Sequence, residues 1–575
     1  MTSTATAEVQ ESATLNELKV NIDTEAQKIS ESPLPGSEEQ LKAVQNHELP
    51  SWRLACVIGS LSVGLYMSLM DMTIAASVLF TISTDFGNFR EANWILLGYS
   101  SAYVGCAVVF TRTADVFGRK ASVLVAFAVF TGFSLGAGWS QTLGQMILFR
   151  CLQGAGGSGL YTLCMVILPE ISPMHLVPFV SGLIGIVVAV AGISGPVLGG
   201  LFSTYTTWRW SFWLNAPIGI PAMLLLFIVW PEEKYAVSVS NRPKLKNLDF
   251  LGAFLMISGS VSLIVGLQQA GSRIWTWHNP GTITLLTIGG ASWVCMFIWQ
   301  YILFSSKRMS KMHPQFPFAL LKHRVMGFTL LAAFLSGFIF TTSIITIPMR
   351  GQIVNILNAV DASVRLIPML VCSALGSFIG GYASYRRNNT FWTLNASACF
   401  MILGSGLMSS LEISLNTQKK QWGFECLLGL GIGLTLSTTT IITSLNTQFA
   451  HHAVAQGILS QIRVFGGTLG VAISTIILNN KIAKDLAGVV TPEQLEEFYT
   501  SPVAGYQWTV YEQSFVRIAE TAAFRQDMLH CTYVGVGCLV ASLFTYQKRP
   551  PTMMERKRQL RALYGNDAKI MAIAA

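Results

Sequence analysis

The chain has 575 residues, 51% of them hydrophobic and only 12% charged, with a mean hydropathy of +0.50. Soluble domains carry about 25% charged residues, so a string of soluble domains is excluded and a polytopic membrane protein is expected. The formal net charge of +9 does not indicate a nucleic-acid partner, because the basic residues stand mostly in short segments between apolar runs.

Residues 1–50 hold nine Asp or Glu, three Lys and no Phe, Trp or Tyr, and read as a disordered tail. No apolar run precedes them, so no cleavable signal peptide is expected and the first span itself would target the chain. Fourteen apolar runs of spanning length follow: 54–80, 92–111, 122–139, 143–168, 176–202, 210–231, 249–269, 280–304, 325–348, 363–384, 390–411, 422–445, 458–478 and 526–546. An even number puts both termini on one side. Twenty Lys and Arg fall in the connecting segments on that side and in the C-terminal tail as far as Arg561, against six in the short segments opposite. The positive-inside rule therefore places both termini in the cytoplasm. The 479–525 loop lies outside, with possible short surface helices at Glu493–Phe498 and Phe515–Phe524.

Several charges stand inside these runs. Asp71, in the first, is expensive in hydrocarbon, about 3 kcal/mol, and should face a cavity. It reads either as a proton carrier or as a structural Asp bonded to a neighbouring helix. Arg150, early in the fourth run, needs a partner or water; Asp71 is a sterically possible partner. Between runs two and three, Thr111-Arg112-Thr113-Ala114-Asp115-Val116-Phe117-Gly118-Arg119-Lys120 makes a tight turn at Gly118 with positive charge toward the cytoplasm. The fifth run carries Gly182, Gly185, Gly192, Gly195, Pro196, Gly199 and Gly200, a helix poor in water but viable in lipid, where absent side chains allow close packing. Its glycines serve static packing or a contact that slides. Gln153, Tyr161, Gln268, Gln461 and Arg463 are further polar groups within runs, each a packing hydrogen bond or part of a cavity lining.

Ten cysteines are scattered with no CxxC or Cys/His cluster, so neither a metal site nor a disulfide framework is indicated. No Walker loop, GxSxG elbow or HExxH helix is visible, which leaves no cofactor, no nucleotide partner and no enzyme chemistry to expect.

Five stretches together resemble the major facilitator superfamily, in its fourteen-span drug:proton antiporter branch. Gly195-Pro196-x-x-Gly199-Gly200 looks like the fifth-helix antiporter signature, and Trp208-Arg209-Trp210-Ser211-Phe212-Trp213-Leu214-Asn215-Ala216-Pro217-Ile218-Gly219 like the sixth-helix opening. Asp115-x-x-Gly118-Arg119-Lys120 resembles the inner-gate loop motif, with Thr111 and Thr113 replacing its usual Gly and Leu. Leu148 to Gly157 resembles the fourth-helix motif. Near the end, Gln456 to Ala472 is similar to a thirteenth-helix stretch of the same branch. The first-helix acid Asp71 matches by position, although the Asn and Pro that usually follow are absent.

The resemblance implies an all-α facilitator fold: a bundle at 51–231, two inserted spans at 249–304, a second bundle at 325–546, and tails at 1–50 and 547–575. It implies proton-coupled export of small, largely apolar organic compounds, with Asp71 carrying the proton, Arg150 modulating it, and Asp115, Gly118, Arg119 and Lys120 latching the inner gate. The partners would be the substrate, protons and the bilayer of the plasma membrane, or of the vacuole, in a fungal cell. Siderophore-iron uptake and a non-transporting membrane sensor are the alternatives.

Overall fold

The computed structural model describes residues 50–551, apart from 88, 93, 173–175, 231–247, 307–311, 313, 387, 415–417, 448–451, 487, 492–493, 496–507 and 549. Residues 1–49 and 552–575 of the expected tails, and the basic segment with Lys234 to Lys246, lie outside the described residues.

The chain folds into helices that follow the apolar runs: α1 (Ser51–Phe86), α2 (Trp94–Phe117), α3 (Arg119–Gly138), α4 (Leu143–Ile171) and α5 (Val177–Tyr205). Next come α6 (Trp210–Val229), built of two segments that meet at Leu214, then α7 (Phe250–Gly271) and α8 (Pro280–Ser305). The last six are α9 (Arg324–Ile353), α10 (Ile367–Arg386), α11 (Thr390–Met408), α12 (Lys420–Asn446), α13 (His452–Asp485) and α14 (Val510–Leu543).

Local chemistry sets several helix starts. Thr142 accepts from the Gln145 amide, Asn279 from that of Gly281, and Pro280 opens α8 where a missing N–H costs nothing. A reciprocal capping box between Thr509 and Glu512 starts α14. The Phe515–Phe524 stretch is consequently the first part of α14, not a separate surface helix, and Val516, Ala519, Ala523 and Phe524 are buried. The Glu493–Phe498 stretch falls mostly outside the described residues.

Thirteen helices, α1 to α13, are long and apolar enough to cross a membrane among the described residues. The fourteenth expected span lies in α14, whose first half carries Arg517, Glu520, Arg525 and Asp527 and so lowers its hydropathy. Large apolar side chains such as Ile228, Phe254 and Trp392 are exposed, as suits helices solvated by hydrocarbon rather than water.

The packing repeats. In the first six helices the partners are α1–α5, α1–α6, α2–α4, α3–α4 and α3–α6. In the last six, the equivalent pairs α9–α13, α9–α14, α10–α12, α11–α12 and α11–α14 recur. Each set encloses its own core, one around Leu61, Leu65, Phe127 and Phe130, the other around Met369, Leu394, Met401 and Leu428. The sets meet at two equivalent seams, α5 on α10 and α2 on α13. This duplicated arrangement is the architecture of transporters built from structural repeats.

The pair α7–α8 packs on itself and docks through α7 on α2 and α13. Its anchor is Asp249, fully buried, whose carboxylate accepts from the Gly252 amide at 2.7 Å, the Trp299 indole at 2.8 Å, the Gln300 amide at 2.6 Å and the Gln315 backbone at 3.3 Å. Four donors replace the water this anion has given up.

Candidate functional site

The site forms where α1, α4 and α6 converge inside the first six helices. Thr142 fixes the register of α4, and Arg150 and Gln153, three residues apart, share one face of that helix. Across from them α1 presents Asp71. Asp71, Arg150, Gln153 and Asn215 are all 0% exposed.

Arg150 Nη1 is ion-paired with Asp71 Oδ2 and also donates to Gln153 Oε1 at 2.8 Å. Gln153 Nε2 donates to Asp71 Oδ1 at 2.9 Å, and Asn215 Nδ2 donates to the same oxygen at 3.0 Å. Asn215 is itself held by Ser134 Oγ at 2.8 Å, and Ser134 donates to the Phe212 carbonyl at 2.8 Å. The Arg150 guanidinium lies 4.1 Å from the centre of the Tyr99 ring and 5.4 Å from that of Phe212. Among the described residues its Nε and Nη2 have no hydrogen-bond partner, and the rings supply a further electrostatic contact. Tyr99 donates to the Ser68 carbonyl at 3.1 Å, back on α1.

The antiporter-type glycines stand beside this pair. A Cβ on Gly195 would collide with Thr73 Oγ1, and one on Gly199 would fall 2.5 Å from Ser77 Oγ. Thr73 Oγ1 reaches the Ala191 carbonyl at 3.3 Å, and Tyr66 and Ser194 share a hydroxyl hydrogen bond at 2.9 Å. Pro196, within α5, brings no N–H to the helix ladder. Thus α5 lies against α1 from just before Asp71 to just after it. Its other face meets α10 of the second bundle: Ser377 Oγ donates to the Ser181 carbonyl at 2.8 Å, and a Cβ on Gly185 would fall 2.8 Å from the Ala374 Cα.

The turn between α2 and α3 needs a glycine, since Gly118 has φ +94°. Arg119 bonds Asp115 at 2.8 Å, Arg112 lies 3.7 Å from the same carboxylate, and Lys120 sits 4.7 Å from the centre of the Phe227 ring on α6. Buried Arg112 also faces Asp249 electrostatically, which links this turn to the α7–α8 pair.

The other polar residues singled out from sequence disperse. Tyr161 is buried, its ring 6.1 Å from that of Tyr103 in the first core. Gln268 is half-buried on α7. Gln461 Nε2 donates across the bundle seam to the Val104 carbonyl at 2.8 Å, and Arg463 Nη2 donates to Thr439 on α12 at 2.8 Å. Of these groups only Gln153 joins Asp71.

A profile described as the Major Facilitator Superfamily matches residues 61–471, well over half of the chain. The chain belongs to the major facilitator superfamily. Among its relatives is the MFS-type transporter FPY5 of Fusarium mangiferae, 30% identical over 507 residues, covering 87% of this chain and 84% of that one. Multidrug resistance protein 3 of Bacillus subtilis is 27% identical, covering 75% of this chain and 82% of its own. The solved structure of the human organic anion transporter MFSD10 shares the fold at a TM-score of 0.52 and 12% identity, covering 84% of this chain and 99% of that one. This facilitator is a multi-pass membrane transporter, not an enzyme.

Sequence reasoning did not single out Asn215, Ser134 or Tyr99 as site residues. Asn215 had a signal, as the polar residue of the Asn215-Ala216-Pro217 opening. Ser134 and Tyr99 had none, because one buried hydroxyl among many apolar neighbours is indistinguishable without the fold.

Proposed function

We propose that this facilitator exports small, largely apolar organic compounds by alternating access, driven by protons moving inward through Asp71. The observation that carries the reading is a carboxylate with no solvent exposure, whose counter-charge is one equally buried Arg150. An ion pair sealed this way is sensitive to neutralisation of either member. Protonating Asp71 leaves the guanidinium without its counter-charge in a low-dielectric site, a situation costing about 3–5 kcal/mol when a partner is removed outright. The bundle relieves that cost by rearranging, and a proton thereby selects between two packings.

The route from the acid to the bundle seam is short. Asp71, Thr73 and Ser77 lie on one helix; Thr73 and Ser77 are where the glycines of α5 rest; and α5 touches α10 on its other side. A shift of α1 relative to α5 would be felt at the seam between bundles. The side-chain-free faces of Gly195 and Gly199 suit a contact that slides. The Asp115–Lys120 turn would act as the latch on the cytoplasmic side, with both termini cytoplasmic and the plasma membrane as the site of action. The multidrug resistance protein among the relatives supports the export direction.

Everted vesicles carrying the protein, with a fluorescent apolar dye supplied outside, test the reading. Dye movement should stop when an ionophore collapses the imposed pH gradient. Undiminished movement after collapse would overturn proton coupling.

A further inference from the structure

The second bundle buries acids of its own. On α14, Glu520, Phe524, Asp527, Met528 and Cys531 follow the four-and-three spacing of one helix face. Glu520 is 3% exposed and Asp527 4%. Facing them from α9 is Arg350, 3% exposed, its guanidinium 4.9 Å from the centre of the Phe524 ring; Glu520 lies within electrostatic reach of both Arg350 and Asp527. From α13, Ser474 Oγ donates to Asp527 Oδ2 at 2.6 Å.

This cluster is under-bonded where Asp249 is saturated. Glu520 Oε2 has no hydrogen-bond partner among the described residues, and neither do Arg350 Nε and Nη1. Arg350 spends its Nη2 on the Glu412 carbonyl, at 2.7 Å, outside the cluster. Apolar groups close the site on both sides: Ile353, Leu478, Ile482, Trp508, Val516 and Ala519 toward the start of α14, and Phe524, Met528 and Cys531 toward its middle.

The charges do not cancel. The helices packed on α14 are α9, α11 and α13. Besides Arg350, α9 has only Arg324, at its far end; α11 has no Asp, Glu, Lys, Arg or His. From α13 come Lys481, Lys484 and Asp485, half-buried or exposed in its last turns, two or more turns past Ser474. On α14 itself Arg517, Arg525 and His530 are half-buried or exposed, and Tyr511, Glu512 and Tyr533 stand outside the cluster. Two buried carboxyls therefore stand against one buried guanidinium, which acts on Glu520, and holding both ionised out of water would leave a net negative charge in the cluster.

We propose that Glu520 and Asp527 form a second proton-binding site, in the C-terminal bundle, with Arg350 as its fixed counter-charge. The pair takes one proton from water and holds it on one of the two carboxyls, moving the trio from net −1 to net 0. This deepens the export reading by adding a second coupled proton, some distance from Asp71 and on the other bundle.

Infrared difference spectroscopy of the purified full-length protein in nanodiscs, titrated with acid and base, tests it without reference to transport. A protonated-carboxyl band should titrate in the wild type and persist in Asp71→Asn. Glu520→Gln and Asp527→Asn should each remove or shift it. Arg350→Gln should raise its midpoint by about 1–3 pH units, because a neighbouring cation lowers proton affinity by that much, and Arg350→Lys should restore it. Circular dichroism identifies a variant that fails to fold, and the Arg350 pair then decides. A band indifferent to Glu520, Asp527 and Arg350 overturns the second site. If instead the band responds as described while dye export ignores the pH gradient, the site stands and the export reading fails.

Discussion

Asn215 donates to Asp71 across 144 positions of sequence, from the first turn of the second α6 segment to the middle of α1, at 3.0 Å. It shares Oδ1 with Gln153, so the oxygen turned away from Arg150 is doubly hydrogen-bonded. The carboxylate is thereby oriented as well as neutralised, and α6 is tied to the same buried carboxylate as α1 and α4.

Replacing Asn215 with Leu removes one donor to the charged form of Asp71. The carboxylate loses part of its fixed orientation toward Arg150, and gradient-driven export should shift to a lower rate. Asn215→Leu also strands Ser134 Oγ without its donor, so a stability loss of about 1–3 kcal/mol should accompany the shift. Dye export under an imposed pH gradient reads the first effect and thermal unfolding in detergent the second.

Arg150→Ala leaves Asp71 buried without its cation. A loss of about 3–5 kcal/mol is expected, enough to lower the yield of folded protein sharply. The double variant Asp71→Asn with Arg150→Gln, which removes both charges, should recover much of that stability while leaving gradient-driven export absent. Thermal unfolding of the three proteins side by side measures the difference.

Gly199→Ala places a methyl 2.5 Å from Ser77 Oγ. Export should fall about tenfold or more, since a few kcal/mol of overpacking at the α1–α5 contact favours one packing over the other. Ser77→Gly opens the space again and, combined with Gly199→Ala, should return most of the rate. Initial rates of dye efflux for the single and paired variants check this.

Asp249→Ala strands the donors of Gly252, Trp299, Gln300 and Gln315 in a buried setting. The α7–α8 pair should loosen, with a loss of about 2–4 kcal/mol and faster hydrogen exchange in Phe250–Gly271. Exchange measured by mass spectrometry locates the effect; unchanged protection there would mean that the pair is held by its apolar contacts alone.

The membrane-helical class was legible because apolar runs of spanning length are the strongest pattern a chain can carry. Asp71 and Arg150 stood out for the same reason, as charges where charges are costly, and the fold brings them together. The partners that complete the site were hidden. Asn215, Ser134 and Tyr99 are common residues whose role comes only from helix crossing. The acids of α14 were hidden differently: the polar first half of that helix resembles an exposed loop, and only its docking on α9, α11 and α13 shows Glu520 and Asp527 buried. Asp249 read as the edge of an apolar run, since the residues that bond it lie about 50 and 66 positions away.

Proteoliposomes carrying wild-type or Asp71→Asn protein, supplied with substrate and an imposed pH gradient, test the central claim most directly. The wild type should accumulate substrate against its concentration gradient. Asp71→Asn should lose that accumulation and still let substrate equilibrate downhill. Uphill accumulation by Asp71→Asn at the wild-type rate would contradict a proton path through Asp71.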